Sequence, residues 1–240
     1  MTDTSKTSKS RLRWLLPAVA VICVAVGAIA MITALTYRDT TISLKNVKPG
    51  DLIFVRLDYD TDSKSLAWLL PGDQPNHVGF ITKDPKNEER LAVLECWKHV
   101  RTTPIEDFLK RARGGKIIIK RIPNLEPVKL SQAINWAFNK NGTLWDNSYD
   151  WLREYRYYNS EFIFKMLERS GIIPVPSAVP IASYVAGRKD KPRQLEALVP
   201  DDRLVVLVDK LFTYEQMPFE LVAEGTAPLY ETASGAPEKQ

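Results

Sequence analysis

The residues of this chain best suited to chemistry are a histidine, a glutamate and an asparagine that lie far apart in the sequence. His77 is one of only two histidines and lies in the strand-like run NHVGF. Glu95 lies in the apolar run LECW, where an unpaired carboxylate would be costly to bury. It therefore either meets His77 or reaches solvent. Asn159 lies in the run YYNSEF, which opens a predicted helix.

Two of these residues also have a purely structural interpretation. A lone histidine is often structural, although the position of His77 beside Gly79 favours a site. Asn159 is predicted to be an N-cap, because an asparagine side chain accepts hydrogen bonds from the free N–H groups of a helix start. An amide is a poor nucleophile and has no proton comparable to that of a thiol, whose pKa is about 8.5.

Four short motifs, in this order, resemble the permuted papain-like cysteine hydrolases of the YiiX/YebB-like branch of the NlpC superfamily. They are NHVG at His77, LECW at Glu95, the pair Tyr149-Asp150 and YYNSE at Asn159, and the similarity spans roughly residues 46–175. The resemblance implies that His77 is the base and that Glu95 is the polar group that orients it. Asn159 then occupies the position of the nucleophilic cysteine. The resemblance therefore predicts a thiol hydrolase scaffold without its thiol.

Other residues are candidates for the missing nucleophile or for ligand contacts. Ser160 follows Asn159 but is rotated by about 100° around the helix, so it reaches His77 only if the backbone shifts. Cys96 neighbours Glu95 on a strand, so the two side chains point to opposite faces. This favours a core position for Cys96. Tyr157 and Tyr158 are predicted to line a ligand pocket near the helix start, or to pack in the core.

The order of predicted elements indicates one α+β domain. Strands are predicted after the turn at residues 49–51 and over 77–82, 91–97 and 117–121, and helices over 131–139 and 160–170. Residues 204–208 are predicted to be a final strand or buried segment. Together with the resemblance, this predicts a permuted papain-like (NlpC-type) domain over 46–222, with a small antiparallel sheet packed on helices. Residues 223–240 are predicted to be a flexible tail.

An apolar segment without charges precedes this domain and predicts a transmembrane helix over residues 14–36. About 20 apolar residues cross a bilayer core of about 30 Å. Four basic residues lie in the preceding tail, residues 1–13, and the positive-inside rule places that tail in the cytoplasm. A cleaved signal peptide is the alternative, but this run exceeds the usual h-region. The sequence predicts a single-pass cell membrane protein, with a linker over 37–45 and a periplasmic or extracellular domain.

Charge and cysteine content restrict the possible partners. Residues 1–40 hold 5 of the 33 basic and 2 of the 29 acidic residues, which leaves 28 basic and 27 acidic residues beyond them. A net charge of +1 there gives no electrostatic case for nucleic acid. The two cysteines, Cys23 and Cys96, form neither a predicted disulfide nor a metal cluster, and no metal or cofactor is expected.

Three functions are compatible with these observations. The first is a catalytically degenerate, membrane-anchored hydrolase domain that binds a cell-wall peptide or a lipid-linked or other acyl-amide ligand. The second is an active amidohydrolase or acyltransferase that uses Ser160 or a rearranged site. The third is a structural scaffold of the cell envelope. The sequence leaves open whether the chain is an enzyme.

Overall fold

An antiparallel sheet of six strands forms the centre of the domain. The computed structural model describes residues 41–57, 69–70, 74–112, 115–174, 176–186, 200, 202–213 and 219–226. The sheet order is β4-β3-β2-β1-β5-β8. Its strands are β1 (Asp51–Val55), β2 (His77–Asp84), β3 (Asn87–Trp97), β4 (His99–Pro104), β5 (Lys116–Arg121) and β8 (Glu220–Thr226), while β6 (Val179–Pro180) and β7 (Leu204–Val205) pair separately.

Helices cover both faces of the sheet. They are α1 (Ile105–Arg111), α2 (Pro127–Asn139), α3 (Asn159–Arg169), α4 (Ala182–Val185) and α5 (Val208–Phe212). One core contains alternate residues of β1 and β2 together with the buried residues of α3, such as Leu52, Val78 and Phe162. The other core contains the intervening strand residues and α1, such as Ile53 and Phe108. The central strands are therefore apolar on both faces, as buried strands require.

Local sequence explains most of the element boundaries near the site. The turn before β1 uses Gly50, whose φ of 98° is readily adopted by glycine. β2 and β3 pair antiparallel and form a hairpin across a polar turn at residues 85–86. A side chain at Gly79 would place Cβ 2.2 Å from Val93 Cγ1, so this glycine permits the close approach of β2 to β3. Helix α1 has acidic residues in its first turn and basic residues in its last, which matches the helix dipole.

Several predicted boundaries were wrong. Helix α2 begins at Pro127, not at Ser131, because proline is well suited to the first helical position. Residues 204–208 were predicted to be a final strand or a buried segment; only Leu204–Val205 is a strand and Val208 begins α5, but residues 205–208 are buried. The flexible tail was predicted to begin at residue 223, which is too early, because β8 continues to Thr226 and its backbone pairs with β5. The domain therefore extends beyond residue 222.

The N-terminal side of the domain also begins before the predicted boundary. Ile42 is buried and donates its N–H to the carbonyl of Thr226, so part of the predicted 37–45 linker packs on the domain. The predicted cytoplasmic tail over 1–13 and the transmembrane helix over 14–36 lie outside the described residues. Among the residues that are described, no helix is long and apolar enough to span a bilayer.

Candidate functional site

His77 is fully buried at the start of β2. Its ring packs against those of Trp97 and Phe108, each at a centroid distance of 5.7 Å. Burial lowers the pKa of His77 below its usual value, and the charges of Arg111 and Arg101 act in the same direction, while Glu95 opposes them. The imidazole is therefore neutral at neutral pH.

Glu95 lies on β3 and binds four side chains although it is fully buried. Its Oε2 lies 2.8 Å from His77 Nε2. Its Oε1 accepts hydrogen bonds from Thr103 Oγ1 at 2.6 Å, Arg111 Nη2 at 2.5 Å and Arg101 Nε at 3.3 Å. Burial alone would raise the pKa of Glu95, but the interactions with His77, Arg111 and Thr103 outweigh it and lower the pKa to about 2. Glu95 is therefore an ionised, well-compensated carboxylate.

The protonation states of this pair fix the tautomer of His77. An ionised carboxylate only accepts hydrogen bonds, so the neutral ring carries its proton on Nε2 and donates it to Glu95. The same Nε2 lies 3.4 Å from Asn159 Nδ2. A catalytic histidine uses one ring nitrogen for the nucleophile and the other for the orienting residue. In this structure the same nitrogen, His77 Nε2, lies beside both Glu95 and Asn159, and it already carries a proton.

Asn159 binds the backbone of Val78 with both ends of its side-chain amide. Its Oδ1 accepts the Val78 N–H at 2.9 Å, and its Nδ2 donates to the Val78 carbonyl oxygen at 2.9 Å. Strand β2 pairs with β3 only from Phe80 onward, opposite Leu94. The Asn159 side chain therefore supplies, at Val78, the paired donor and acceptor that a neighbouring strand would otherwise give.

The prediction that Asn159 is the N-cap of the helix was wrong. It is the first helical residue, and the N-cap is Tyr158, whose N–H is accepted by Glu161 Oε2 at 3.2 Å. Glu161 is fully buried, and burial raises its pKa to about 9 in spite of the Tyr158 hydrogen bond and the Lys165 charge. The Lys165 ammonium lies 3.8 Å from Oε1, too far to offset the burial. Glu161 is therefore a neutral acid at neutral pH.

Ser160 and Tyr158 bind the backbone of Val206. The Ser160 hydroxyl donates to the Val206 carbonyl oxygen at 2.7 Å, and the Tyr158 hydroxyl accepts the Val206 N–H at 2.9 Å. Ser160 is only 2% exposed. Both side chains thus hold the segment before α5 against α3, and it is Asn159 that contacts His77.

Tyr157 and Cys96 are also core residues. Both are buried, and the Cys96 thiol donates to the Tyr157 carbonyl oxygen at 3.0 Å. Cys96 points away from Glu95, as strand alternation predicted, and burial raises the pKa of its thiol. Tyr157 and Tyr158 therefore pack in the core in this structure, and a role in ligand binding stays a prediction.

The predicted juxtaposition of His77, Glu95 and Asn159 is found, with one difference. The histidine and the glutamate lie on neighbouring antiparallel strands, but their side chains point to the sheet face covered by α1, where they contact Phe108 and Arg111. Asn159 reaches them from α3 at the position where β2 and β3 separate. The catalytic roles of the three residues stay predictions.

Sequence reasoning missed the cations and the hydroxyl that bind Glu95. Arg101 and Thr103 lie on β4, and Arg111 lies on α1, two elements that the sequence analysis did not assign. The sequence gives only indirect evidence for these partners: Glu95 lies in an apolar strand, and a glutamate that is buried there needs compensating hydrogen bonds or charges. The Arg111 guanidinium also lies 5.1 Å from the ring centroids of both Trp97 and Phe108.

The fold and the site define a papain-like hydrolase scaffold, and a comparison with protein families agrees. Residues 46–217 match the family of permuted papain-like amidase enzymes described as YaeF/YiiX, C92 family. This match covers well over half of the chain, so the protein belongs to that family. The resemblance derived from the sequence is confirmed.

A solved structure shares the fold. It is the metalloprotein YiiX from Escherichia coli O157:H7, which matches with a TM-score of 0.60 and 20% sequence identity over 74% of this chain and 96% of that chain. No curated protein matches this sequence. Within the part of this chain that the structure describes, no group of three or more histidine, cysteine, aspartate or glutamate residues could hold a metal ion.

Proposed function

We propose that this protein is a catalytically degenerate member of its family, anchored in the membrane, which binds a cell-wall peptide or an acyl-amide ligand. The observation that carries the proposal is the position of Asn159. Both ends of its amide are bound to Val78. By the resemblance of the YYNSE motif, Asn159 occupies the position of the family's nucleophile. A carboxamide is a poor nucleophile at neutral pH, because it has no dissociable proton comparable to that of a thiol.

The state of the histidine supports the same conclusion. His77 Nε2 donates to Glu95 and has no lone pair for a nucleophile at position 159. His77 is 0% exposed and Asn159 is 4% exposed. A histidine in this position contributes a buried hydrogen bond to the fold, and substrate would reach it only after the surrounding side chains had moved.

The alternative is an active amidohydrolase or acyltransferase that uses Ser160. The present position of its hydroxyl, bonded to the Val206 carbonyl oxygen, does not favour this function. A serine-reactive fluorophosphonate probe tests it on the full-length protein. We expect no labelling of the wild type above that of Ser160→Ala, with Ser131→Ala as a control at an exposed serine. Labelling that disappears only in Ser160→Ala would contradict the degenerate function and establish the alternative.

Ligand binding separates the proposed function from a purely structural envelope role. A ligand that binds only the folded protein raises its stability in proportion to the logarithm of ligand concentration. We expect purified cell-wall peptides to stabilise the full-length protein in detergent against thermal unfolding. An unchanged unfolding midpoint at millimolar peptide would favour the scaffold.

The membrane part of the proposal rests on the apolar segment over residues 14–36 and the basic tail before it. The expected topology places the domain on the outer side of the membrane. Protease added to intact spheroplasts should then digest the domain, and detergent lysis should not be required. Protection of the domain until lysis would overturn this topology.

A further inference from the structure

A pocket separate from the buried histidine lies at the free edge of β4. Its volume is about 440 Å³, which is within the range of small-ligand sites. The turn between β2 and β3 forms one wall, and the end of α2 forms another with Phe138 and Asn141. Arg101 and Thr102 of β4 form its floor.

The chain itself shows how this edge pairs with an extended segment. The Val100 N–H donates to the Thr143 carbonyl oxygen, and the Gly142 N–H donates to the Val100 carbonyl oxygen, both at 2.8 Å. His99 forms an antiparallel bridge with Leu144. Residues 142–144 thus pair with the first half of β4, and this pairing ends where the pocket begins.

The backbone of Thr102 continues that edge into the pocket. Because the N–H and C=O of Val100 point away from β3, the alternation of an antiparallel strand directs those of Thr102 the same way. Thr102 lies opposite Leu94, and β4 is the last strand of its sheet. One donor and one acceptor therefore face the pocket, and Pro104, which has no N–H, ends the edge two residues later.

The side chains around this edge favour an anionic ligand. Lys86 and Arg101 supply two positive charges. Asp84 supplies one negative charge, and its Oδ1 accepts the backbone N–H of Lys86 at 2.9 Å, so the charged side chains of the lining sum to +1. Phe138 is 38% exposed and offers an apolar wall. A cationic pair beside an open strand edge suits an extended peptide that carries a carboxylate.

We propose that an extended peptide with a free carboxylate binds in this pocket, pairing with the backbone of Thr102 and placing its carboxylate between Lys86 and Arg101. This inference rests on the proposed function and assigns its ligand to the β4 edge, away from the degenerate catalytic residues. Arg101 makes the longest of the contacts to Glu95, at 3.3 Å, and its side chain is 30% exposed. Thr103 and Arg111 continue to bind Glu95 when Arg101 turns toward the peptide.

Isothermal titration of the full-length protein in detergent micelles tests this site. The probe is the tetrapeptide L-alanyl-γ-D-glutamyl-L-lysyl-D-alanine with free carboxylates, and its control is the same peptide with both carboxylates amidated. We expect amidation and Arg101→Gln each to weaken binding at least tenfold. Thr102→Pro, which removes the free N–H, and Lys86→Gln should each weaken it at least threefold. Lys86→Gln leaves the contacts of Glu95 unchanged.

Arg90→Gln is the matched control, since Arg90 lies on β3, pairs with Glu106 and does not line the pocket. Its affinity for the peptide should equal that of the wild type. If the wild type binds the peptide and all three pocket variants bind it equally well, the site is elsewhere and only this inference fails. If the wild type binds neither peptide, the proposed ligand class fails with it.

Discussion

Replacing Asn159 by alanine should destabilise the domain far more than the loss of a helix cap would. The substitution removes two hydrogen bonds of 2.9 Å and leaves the Val78 N–H and C=O without their partner. Val78 is 0% exposed. A buried backbone group left unpaired costs about 1–3 kcal/mol, so the two together cost about 2–6 kcal/mol. A lost N-cap would cost only about 1 kcal/mol.

Urea unfolding of the full-length protein in detergent, followed by tryptophan fluorescence, measures this difference. The control is Asn147→Ala, because Asn147 is exposed and lies outside the site. Asn159→Ala should lower the free energy of unfolding by about 2–6 kcal/mol relative to that control. A loss of about 1 kcal/mol or less would refute the reasoning, since it would mean that Asn159 does not serve as the pairing partner of β2.

Two further predictions concern reactivity and pH. Asn159→Cys should react with iodoacetamide faster than Cys96, because the new thiol lies at a helix N-terminus while burial raises the pKa of Cys96. Equal rates would show that the helix N-terminus does not activate a thiol at this position. Burial raises the pKa of Glu161 from 4.5 to about 9. The protonated carboxyl therefore makes its full contribution to the free energy of unfolding below about pH 4.5, and this contribution is lost as the pH rises toward 9. Glu161→Gln should therefore remove part of the fall in urea midpoint between pH 5 and pH 9, whereas an unchanged slope would contradict a neutral acid at this position.

The sequence by itself determined the family, the main strands and the identity of the residues that meet at the site. His77, Glu95 and Asn159 lie in short motifs that follow one another in the order found in the resembled family. The alternation of side chains along a strand was enough to place Glu95 and Cys96 on opposite faces. These properties are local, because they depend on neighbouring residues and on the period of a strand.

Only the tertiary structure decided what these residues do to one another. The sequence predicted a helix cap at Asn159, but its amide pairs with Val78, 81 positions away, where β2 and β3 separate. The charge state of Glu95 depends on Arg111 and Thr103, which reach it from α1 and β4. The tautomer of His77 then follows from that carboxylate. Hydrogen bonds and charges between distant segments set these states, and no local pattern in the sequence records them.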